Sequence, residues 1–388
     1  MTSFLIYLFG VGFFSFLGIL IIDFIPLFLT WQSRIKIGSI TDQSIWKSKM
    51  TLIACSWLHK TPVAKVTDQT RLIIVDMLRG NYKKNSIQSW QKAALVLGLT
   101  SQYQNQNNQE IKVHLDRFLA SIFDENGNWK SLPKEVDEVM MAHACIQIPW
   151  LNKDKYRPAF DQMYALILEL KGVDGTVNYR RHTPLLRFVD TLGFICPFLV
   201  HYGTIYNVPE AIDLSVLQLQ TYQKYGLMVN RAIPCHTYRT DDKQPVGLFG
   251  WGRGLGWYAY GLLDTYLALP ESHSAKSSFV TAIQDVAKDA LLYQKENGSW
   301  SWLLFNSSAN SDSSITAIMA WYLSVMPEEL QTEQSKNASK NASKYLQNVT
   351  RRNGVVDFSQ GDTKGVGVYA QTFDILPFTQ GFVLRCKD

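Results

Sequence analysis

The sequence contains few charged residues for its length and no cluster of basic ones. Of its 388 residues 18% are charged, and 38 Lys and Arg against 33 Asp and Glu leave a net charge of +5. Nucleic-acid-binding domains present a basic patch or stripe, so this weak and dispersed charge argues against DNA or RNA as a partner. A hydrophobic content of 46% also excludes an intrinsically disordered chain.

Cysteine is scarce as well, and no two copies form a CxxC pair. The five are Cys55, Cys145, Cys196, Cys235 and Cys386. This spacing supports neither a disulfide framework nor a zinc site of known pattern, and we expect buried thiols in a reducing compartment. Aromatic residues are plentiful at 13%. They are typical of sugar-binding clefts, although a large core would use them equally well.

Charge is absent altogether from Phe4 to Ile22, a run of 19 residues. About 20 apolar residues cross the hydrocarbon core of a bilayer, so the run predicts a transmembrane helix. A cleaved signal peptide would need a basic start and a small-residue cleavage site, and neither is present. A buried core helix is disfavoured because no polar residue marks a solvent-facing side.

The basic residues near this run all follow it: Arg34, Lys36, Lys47 and Lys49. The positive-inside rule then places the rest of the chain in the cytoplasm, on the inner membrane of the cell. We therefore expect a transmembrane anchor over residues 1–31, a juxtamembrane linker over 32–44 and one globular domain over 45–388.

Beyond the anchor, apolar residues recur at helical spacing, and clean alternating strands are rare. Repeated helices without runs of strands predict an all-α fold in which pairs of helices share one core. The predicted helical blocks are Trp90–Leu99, Ile111–Phe123, Val136–Ile148, Tyr156–Leu170, Asp190–Tyr202, Glu210–Tyr225, Leu255–Leu269, Phe279–Tyr293, Ser314–Val325 and Ser339–Val349. The polar repeat KNASKNASK at 336–344 fits a solvated loop or helix face.

Two acids open apolar helical stretches, Asp137 in VDEVMMAHACIQI and Asp190 in FVDTLGFICPFL. A carboxyl group in such surroundings is partly desolvated, which raises its proton affinity as a general acid requires. Each acid would equally well cap the N-terminus of its helix. If the two meet across a cleft, they form the paired carboxylates typical of sugar-cleaving sites.

A second candidate feature is the segment WGRGLGW, Trp251–Trp257. Its glycines would let the backbone pass close to a ligand, and Arg253 offers a planar fork that suits a carboxylate. Trp251 and Trp257 would provide stacking surfaces, although the segment is also compatible with a tight packed turn before the next helix. His236 stands alone in a predicted polar loop, with no second ligand at metal-binding spacing.

The order of these motifs resembles that of the unsaturated uronyl hydrolases, glycoside hydrolase families 88 and 105. Asp137 is followed by FVDTLGFICPFLVHYG, which contains Asp190, then by His236 and then by WGRGLGW. Four later segments are also similar to the family, over about residues 45–388 in total: YQKENGSWSW at 293–302, DSSITA at 312–317, QGDTKGVGVY at 360–369 and FTQGFVL at 378–384.

The resemblance implies an (α/α)6 barrel, here preceded by one transmembrane helix, and a hydrolase that hydrates a C4=C5 double bond in a terminal uronic acid of an oligosaccharide. It implies that Asp190 acts as general acid and base with Asp137 as its carboxylate partner. His236 would hydrogen-bond near the reacting ring, Arg253 and Trp257 would hold the uronate, and Trp90 would supply a stacking floor. The resemblance implies no metal and no organic cofactor.

Two further interpretations remain open from the sequence. Leu255 lies where the family places a polar residue, and a membrane anchor is atypical of it, so the barrel could act on another glycan in polysaccharide assembly or turnover. A non-catalytic glycan-binding scaffold is the other alternative. The presence of Asp137, Asp190, His236 and Arg253 argues against a scaffold.

Overall fold

A computed structural model describes residues 2–62, 71–79 and 88–387 of the chain. These residues contain 14 α-helices: Thr2–Arg34 (α1), Gln43–His59 (α2), Ile73–Leu78 (α3), Ser89–Gln106 (α4), Gln109–Ile122 (α5), Val139–Ile146 (α6), Lys153–Glu169 (α7), Asp190–Tyr206 (α8), Pro209–Tyr225 (α9), Gly252–Ala268 (α10), Lys276–Leu292 (α11), Ser313–Val325 (α12), Glu333–Asn348 (α13) and Pro377–Arg385 (α14). Two 3₁₀ turns lie at Val136–Glu138 and Glu328–Leu330.

Six of these helices form a closed inner ring. Helices α4, α6, α8, α10, α12 and α14 each contact the next, and α14 closes the ring against α4. An outer layer of α2, α5, α7, α9, α11 and α13 covers it. This arrangement is an (α/α)6 barrel, which confirms the predicted all-α fold.

The two layers differ in their sequences as their positions require. In α12 every residue from Ser313 to Leu323 is buried, because an inner helix contacts other elements on all sides. Outer helices are amphipathic: α5 buries Ile111, Leu115, Phe118 and Leu119 on one face. The KNASKNASK repeat lies on α13, which packs through the small side chains Ala338 and Ala342. The repeat is therefore a helix face and not a loop.

Helices α4 and α14 pack most closely where glycines face each other. A Cβ atom added to Gly381 would overlap the carbonyl oxygen of Ala94, and one added to Gly98 would overlap the carbonyl oxygen of Gly381. The glycine of the FTQGFVL segment is thus required for closure of the ring.

Short hairpins and strands collect at the end of the barrel where the inner helices begin. Strands Leu186–Phe188 (β1), Cys235–Arg239 (β2) and Pro245–Phe249 (β3) form an antiparallel sheet in that order. Strands Ser359–Gln360 (β4) and Phe373–Asp374 (β5) form a second antiparallel pair. Isolated bridges such as Phe123–Trp129 and Thr350–Val356 close further tight turns that follow outer helices.

Helix α1 is apolar and almost wholly exposed, and its composition and length suffice to cross a membrane. Its last turn contacts the barrel, because Arg34 donates from Nε and Nη2 to the two carboxylate oxygens of Asp357, at 2.8 and 2.9 Å. Arg34 also donates to the carbonyl oxygen of Phe373 at 3.0 Å. The C-terminal end of α1 is thus attached to the segment just before β4 and to the first residue of β5.

Each predicted helical block overlaps an observed helix, and several helices, α10 among them, begin earlier than expected. Helix α10 starts at Gly252 with Trp251 as its N-cap residue, so residues 252–257 of the WGRGLGW segment form its first turns and not a separate turn or loop. Its glycines permit close packing against protein atoms. A Cβ atom at Gly252 would lie 2.5 Å from the carbonyl oxygen of Ser301, and one at Gly256 would overlap Ile318.

Candidate active site

A cavity of about 300 Å³ opens at the end of the barrel where the inner helices begin. Five of the residues expected at the site line it: Trp90, Asp190, His236, Arg253 and Trp257. They come from α4, α8, β2 and α10, so the first turns of three inner helices and one strand converge on one space. The rings of Trp90 and Trp257 meet edge to face with centroids 5.5 Å apart and form an apolar wall.

Asp190 is the first residue of α8, and the position before it is occupied by Val189. The predicted alternative, in which Asp190 caps the helix, is therefore not what the structure shows. Burial raises the pKa of the Asp190 carboxyl to about 7. Its Oδ2 atom is buried and has no hydrogen-bond partner among the described residues. The site thus contains a carboxyl group that exchanges a proton near neutral pH and has a free oxygen.

His236 lies beside this oxygen, with Nε2 at 3.6 Å from Asp190 Oδ2. Burial, aided by the positive charge of Arg253, lowers the pKa of His236 to about 4, so the ring is neutral at physiological pH. The Tyr369 hydroxyl accepts a hydrogen bond from the backbone N–H of Leu248 at 3.1 Å and lies 3.2 Å from His236 Nδ1. When this hydroxyl donates to Nδ1, the proton of the ring is on Nε2 and faces Asp190.

Asp137 lies in the 3₁₀ turn before α6 and pairs with an arginine that was not predicted. Its Oδ2 atom accepts a hydrogen bond from Arg180 Nη2 at 2.9 Å. The capping interactions of this turn are made by Glu135 and Glu138, so Asp137 does not act as its cap. Arg180 lines the cavity and stacks on the ring of Tyr179, with its Cζ atom 3.9 Å from the ring centroid.

Tyr179 connects the two acids electrostatically. Burial raises its pKa well above the usual value, and the negative charges of Asp137 and Asp190 raise it further. The Tyr179 phenol is therefore neutral and lines the cavity, within the electrostatic reach of both carboxyl groups. The structure therefore places Asp190 on the cavity wall, whereas Asp137 reaches the site through its hydrogen bond from the cavity-lining Arg180.

Arg253 is almost completely buried, and its guanidinium is engaged by backbone. Nη1 donates to the carbonyl oxygen of Gln360 at 2.6 Å, and Nη2 donates to that of Gly361 at 2.7 Å. Trp251 is 1% exposed and donates from Nε1 to the side-chain oxygen of Gln360 at 3.0 Å. Its ring centroid lies 4.7 Å from that of His236, so Trp251 supports the cavity wall from behind.

Arg180, Asp362, Gln88 and Tyr369 were not predicted as site residues. Asp362 lies between β4 and β5, lines the cavity and accepts a hydrogen bond from Gln88 Nε2 at 2.8 Å. Its enclosed position raises the pKa of its carboxyl group. The sequence signals for three of them are the segment QGDTKGVGVY, with Asp362 and Tyr369, and the basic cluster YRRH with Arg180, both without periodicity, whereas Gln88 lies in neither.

Comparisons with known proteins agree with this architecture. A structure of a possible member of the GH105 family from Salmonella enterica superimposes with a TM-score of 0.75 and 15% identity, over 89% of this chain and 93% of that chain. The unsaturated glucuronyl hydrolase of Bacillus sp. GL1 superimposes with a TM-score of 0.66 and 15% identity, over 87% and 93%. At these identities the likeness shows a common fold.

Sequence comparison identifies the family in addition to the fold. Residues 63–385 match the family model of Glycosyl Hydrolase Family 88, which covers most of the chain and includes every predicted site residue. The protein therefore belongs to Glycosyl Hydrolase Family 88 and is a glycoside hydrolase.

Proposed function

We propose that the protein removes a terminal 4,5-unsaturated uronic acid from an oligosaccharide by hydrating the C4=C5 bond. The observation that carries this proposal is Asp190, a buried residue that lines the cavity, with a carboxyl pKa of about 7 and an unpartnered oxygen beside His236. A group that is half protonated near neutral pH can both give a proton and take one back.

In this reaction Asp190 donates its proton to C4 of the substrate, and a water molecule adds at C5. The carboxylate of Asp190 accepts the proton that this water loses, so the acid is regenerated. The product of addition is a hemiketal at C5, which opens to a ketone. The exposed hemiacetal at C1 then releases the neighbouring sugar as a free alcohol, and one water molecule is consumed overall.

One titrating carboxyl group is sufficient for these reaction steps because it acts first as acid and then as base. Ordinary glycosidases displace at C1 and need two carboxyl groups in separate roles. Asp137 has one oxygen bound by Arg180. We assign Asp137 to holding substrate hydroxyls and to setting the charge around Asp190. The neutral His236 ring would hydrogen-bond near the reacting atoms, and Trp257 and Trp90 would contact the sugar.

The carboxylate of the uronate requires a cation in the cavity. Arg253 supplies fixed positive charge, but two of its nitrogens already donate to backbone carbonyls. Arg180 has a side chain that is 24% exposed and also lines the cavity. We therefore assign direct carboxylate binding to Arg180 and a steady electrostatic contribution to Arg253.

We also propose that α1 anchors the enzyme in the inner membrane with the barrel in the cytoplasm. The exposed apolar surface of α1 supports the anchor, and the basic residues that follow the apolar run support the orientation. A cleaved signal sequence is the alternative for such a helix. N-terminal sequencing of the membrane-extracted protein distinguishes an anchor from a cleaved signal sequence. Fusion of a reporter to each terminus tests the orientation.

The proposed reaction is tested with full-length enzyme in detergent and unsaturated uronyl oligosaccharides generated by a polysaccharide lyase. Loss of the ultraviolet absorbance of the conjugated double bond follows hydration directly. We expect turnover by the parent protein and none by Asp190→Asn, whereas Asp213→Asn, an exposed position on α9, should behave as the parent. Cleavage of a saturated uronide, with the absorbance of the unsaturated substrates unchanged, would show ordinary hydrolysis at C1 instead.

A further inference from the structure

Helix α1 is longer than a bilayer requires. Its 33 residues extend about 50 Å at 1.5 Å per residue, whereas the hydrocarbon core is about 30 Å thick. Within α1, Asp23 is a buried residue and follows the uncharged run directly. The part of α1 from Asp23 to Arg34 therefore lies where a span beginning near residue 4 would leave the hydrocarbon core.

The short helix α3 is attached to α1 at this level. The two carboxylate oxygens of Asp23 accept hydrogen bonds from the backbone N–H groups of Leu72, at 2.7 Å, and Ile73, at 2.9 Å. These bonds satisfy the carboxylate and place the start of α3 against α1. The position of α3 along α1 is thus fixed by a specific pair of contacts.

The outer face of α3 is apolar and exposed. Leu78 is 83% exposed, Leu72 52% and Met77 45%. Exposed arginines, Arg71 and Arg79, stand at either side of this face. A short apolar segment between cations is typical of chains that lie in a membrane interface, where the cations meet anionic headgroups.

This face continues the exposed apolar surface of α1. Phe24 and Phe28, which flank the level of Asp23 on its C-terminal side, are 64% and 57% exposed. A surface that must contact lipid along α1 therefore extends onto α3. This continuity, together with the basic flanks, identifies the occupant of the α3 face as lipid rather than a protein partner.

We propose that α3 lies in the boundary between lipid headgroups and acyl chains, beside α1, and gives the catalytic domain a second contact with the membrane. The proposal rests on membrane anchoring by α1. Gln88, which lines the cavity, follows Leu78 by ten residues, a reach of at most about 35 Å. The cavity would then be held close to the membrane surface, where it would meet glycan ends presented there.

The test uses full-length protein in vesicles of phosphatidylcholine and phosphatidylglycerol, in a Cys386→Ser background because the other four cysteines are buried. An environment-sensitive fluorophore is attached to Leu78→Cys or to Val229→Cys, a control position that is also 83% exposed. Nitroxides on shallow acyl-chain positions of the lipid are the quenchers. We expect quenching at position 78 to exceed that at position 229 several-fold.

Equal quenching at the two positions would overturn the proposal. So would a label at position 78 that is shielded from aqueous iodide but not quenched by lipid, since a protein would then cover α3. A label at Phe9→Cys on α1 distinguishes loss of the α3 contact from loss of the membrane anchor. If position 9 is quenched and position 78 is not, only the α3 contact fails, whereas an unquenched position 9 removes the anchor itself.

Discussion

Asp190 and His236 face each other with 3.6 Å between Oδ2 and Nε2, and burial shifts their pKa values in opposite directions. The carboxyl has a pKa raised to about 7 and the imidazole a pKa lowered to about 4. Near neutral pH the imidazole is therefore uncharged and cannot neutralise the acid by salt-bridge formation. The acid keeps its exchangeable proton, and the ring is available to orient the carboxyl group or the water beside it.

The rate should fall as the pH rises through the pKa of Asp190. A general acid works only while protonated, so kcat/KM should decrease by about tenfold per pH unit above pH 7. The measurement is the initial rate of absorbance loss at low substrate concentration from pH 5 to 9. A rate that stays constant through pH 9 would contradict the role of Asp190 as acid.

The free energy of unfolding should also depend on pH through Asp190, and it should decrease as the pH rises. Its folded-state pKa of about 7 lies above the unfolded value, so its contribution to stability is fully present below pH 4 and is lost as the pH rises to 7. Asp190→Asn should therefore raise the melting temperature at pH 8, by an amount equivalent to about 2–4 kcal/mol, and have little effect at pH 4. Thermal unfolding in detergent at both pH values measures the difference, and equal shifts at both would contradict the prediction.

Arg180 should control substrate binding through the uronate carboxylate. Arg180→Gln should raise KM by about tenfold or more with a smaller change in kcat, because a charge-assisted hydrogen bond to the substrate is lost. The neighbouring Arg181 pairs with Glu169 on the surface and provides the matched control. If Arg181→Gln raises KM as much as Arg180→Gln, the change in KM comes from the loss of any nearby positive charge and not from the loss of a bond to the substrate carboxylate.

The Tyr369 hydroxyl should act through His236. Tyr369→Phe removes the group beside His236 Nδ1 and should lower kcat by about tenfold, with KM nearly unchanged. Tyr103→Phe is a suitable control, since Tyr103 packs against Trp150 away from the cavity. A Tyr369→Phe enzyme with full kcat would show that the ring of His236 is oriented by other contacts.

Arg34 should stabilise the barrel although it belongs to α1. Burial alone would raise the pKa of Asp357, but hydrogen bonds from Arg34 and Arg351 lower it overall, so the carboxylate depends on both cations. Arg34→Gln should reduce the free energy of unfolding by about 2 kcal/mol, measured by thermal or chemical denaturation. Arg157→Gln, which breaks an exposed pair with Asp161, should cost less than about 1 kcal/mol. Equal losses would contradict the prediction.

The sequence predicted the helical part of the fold well because its signals are local. Inner helices such as α12 are apolar on all sides, and outer ones such as α5 repeat at helical spacing. Asp190 and Asp137 were identified for a similar reason, as acids in apolar surroundings. The strands β2 and β3 were not predicted, since five residues without clean alternation carry little signal.

The remaining features of the site depend on contacts between distant residues. Asp137 and Arg180 are 43 positions apart, and no periodic pattern relates them. Trp251 was expected to stack on a ligand but lies behind His236, because burial of a tryptophan is decided by neighbours that the local sequence does not contain. The glycines of WGRGLGW predict room for a ligand, whereas their space is taken by Trp251 of the same segment and by Ser301, Ile315 and Ile318.

The bond between Arg34 and Asp357 also determines which cuts in α1 would leave the contacts of the barrel intact. A protease that cuts before Ser33 would free a barrel that keeps both cations of Asp357. A cut a few residues later would leave that buried carboxylate with Arg351 alone and would remove the hydrogen bond to Phe373. A barrel that keeps all of these contacts after separation from the apolar run therefore requires a cut inside α1, before Arg34, rather than in the chain after it.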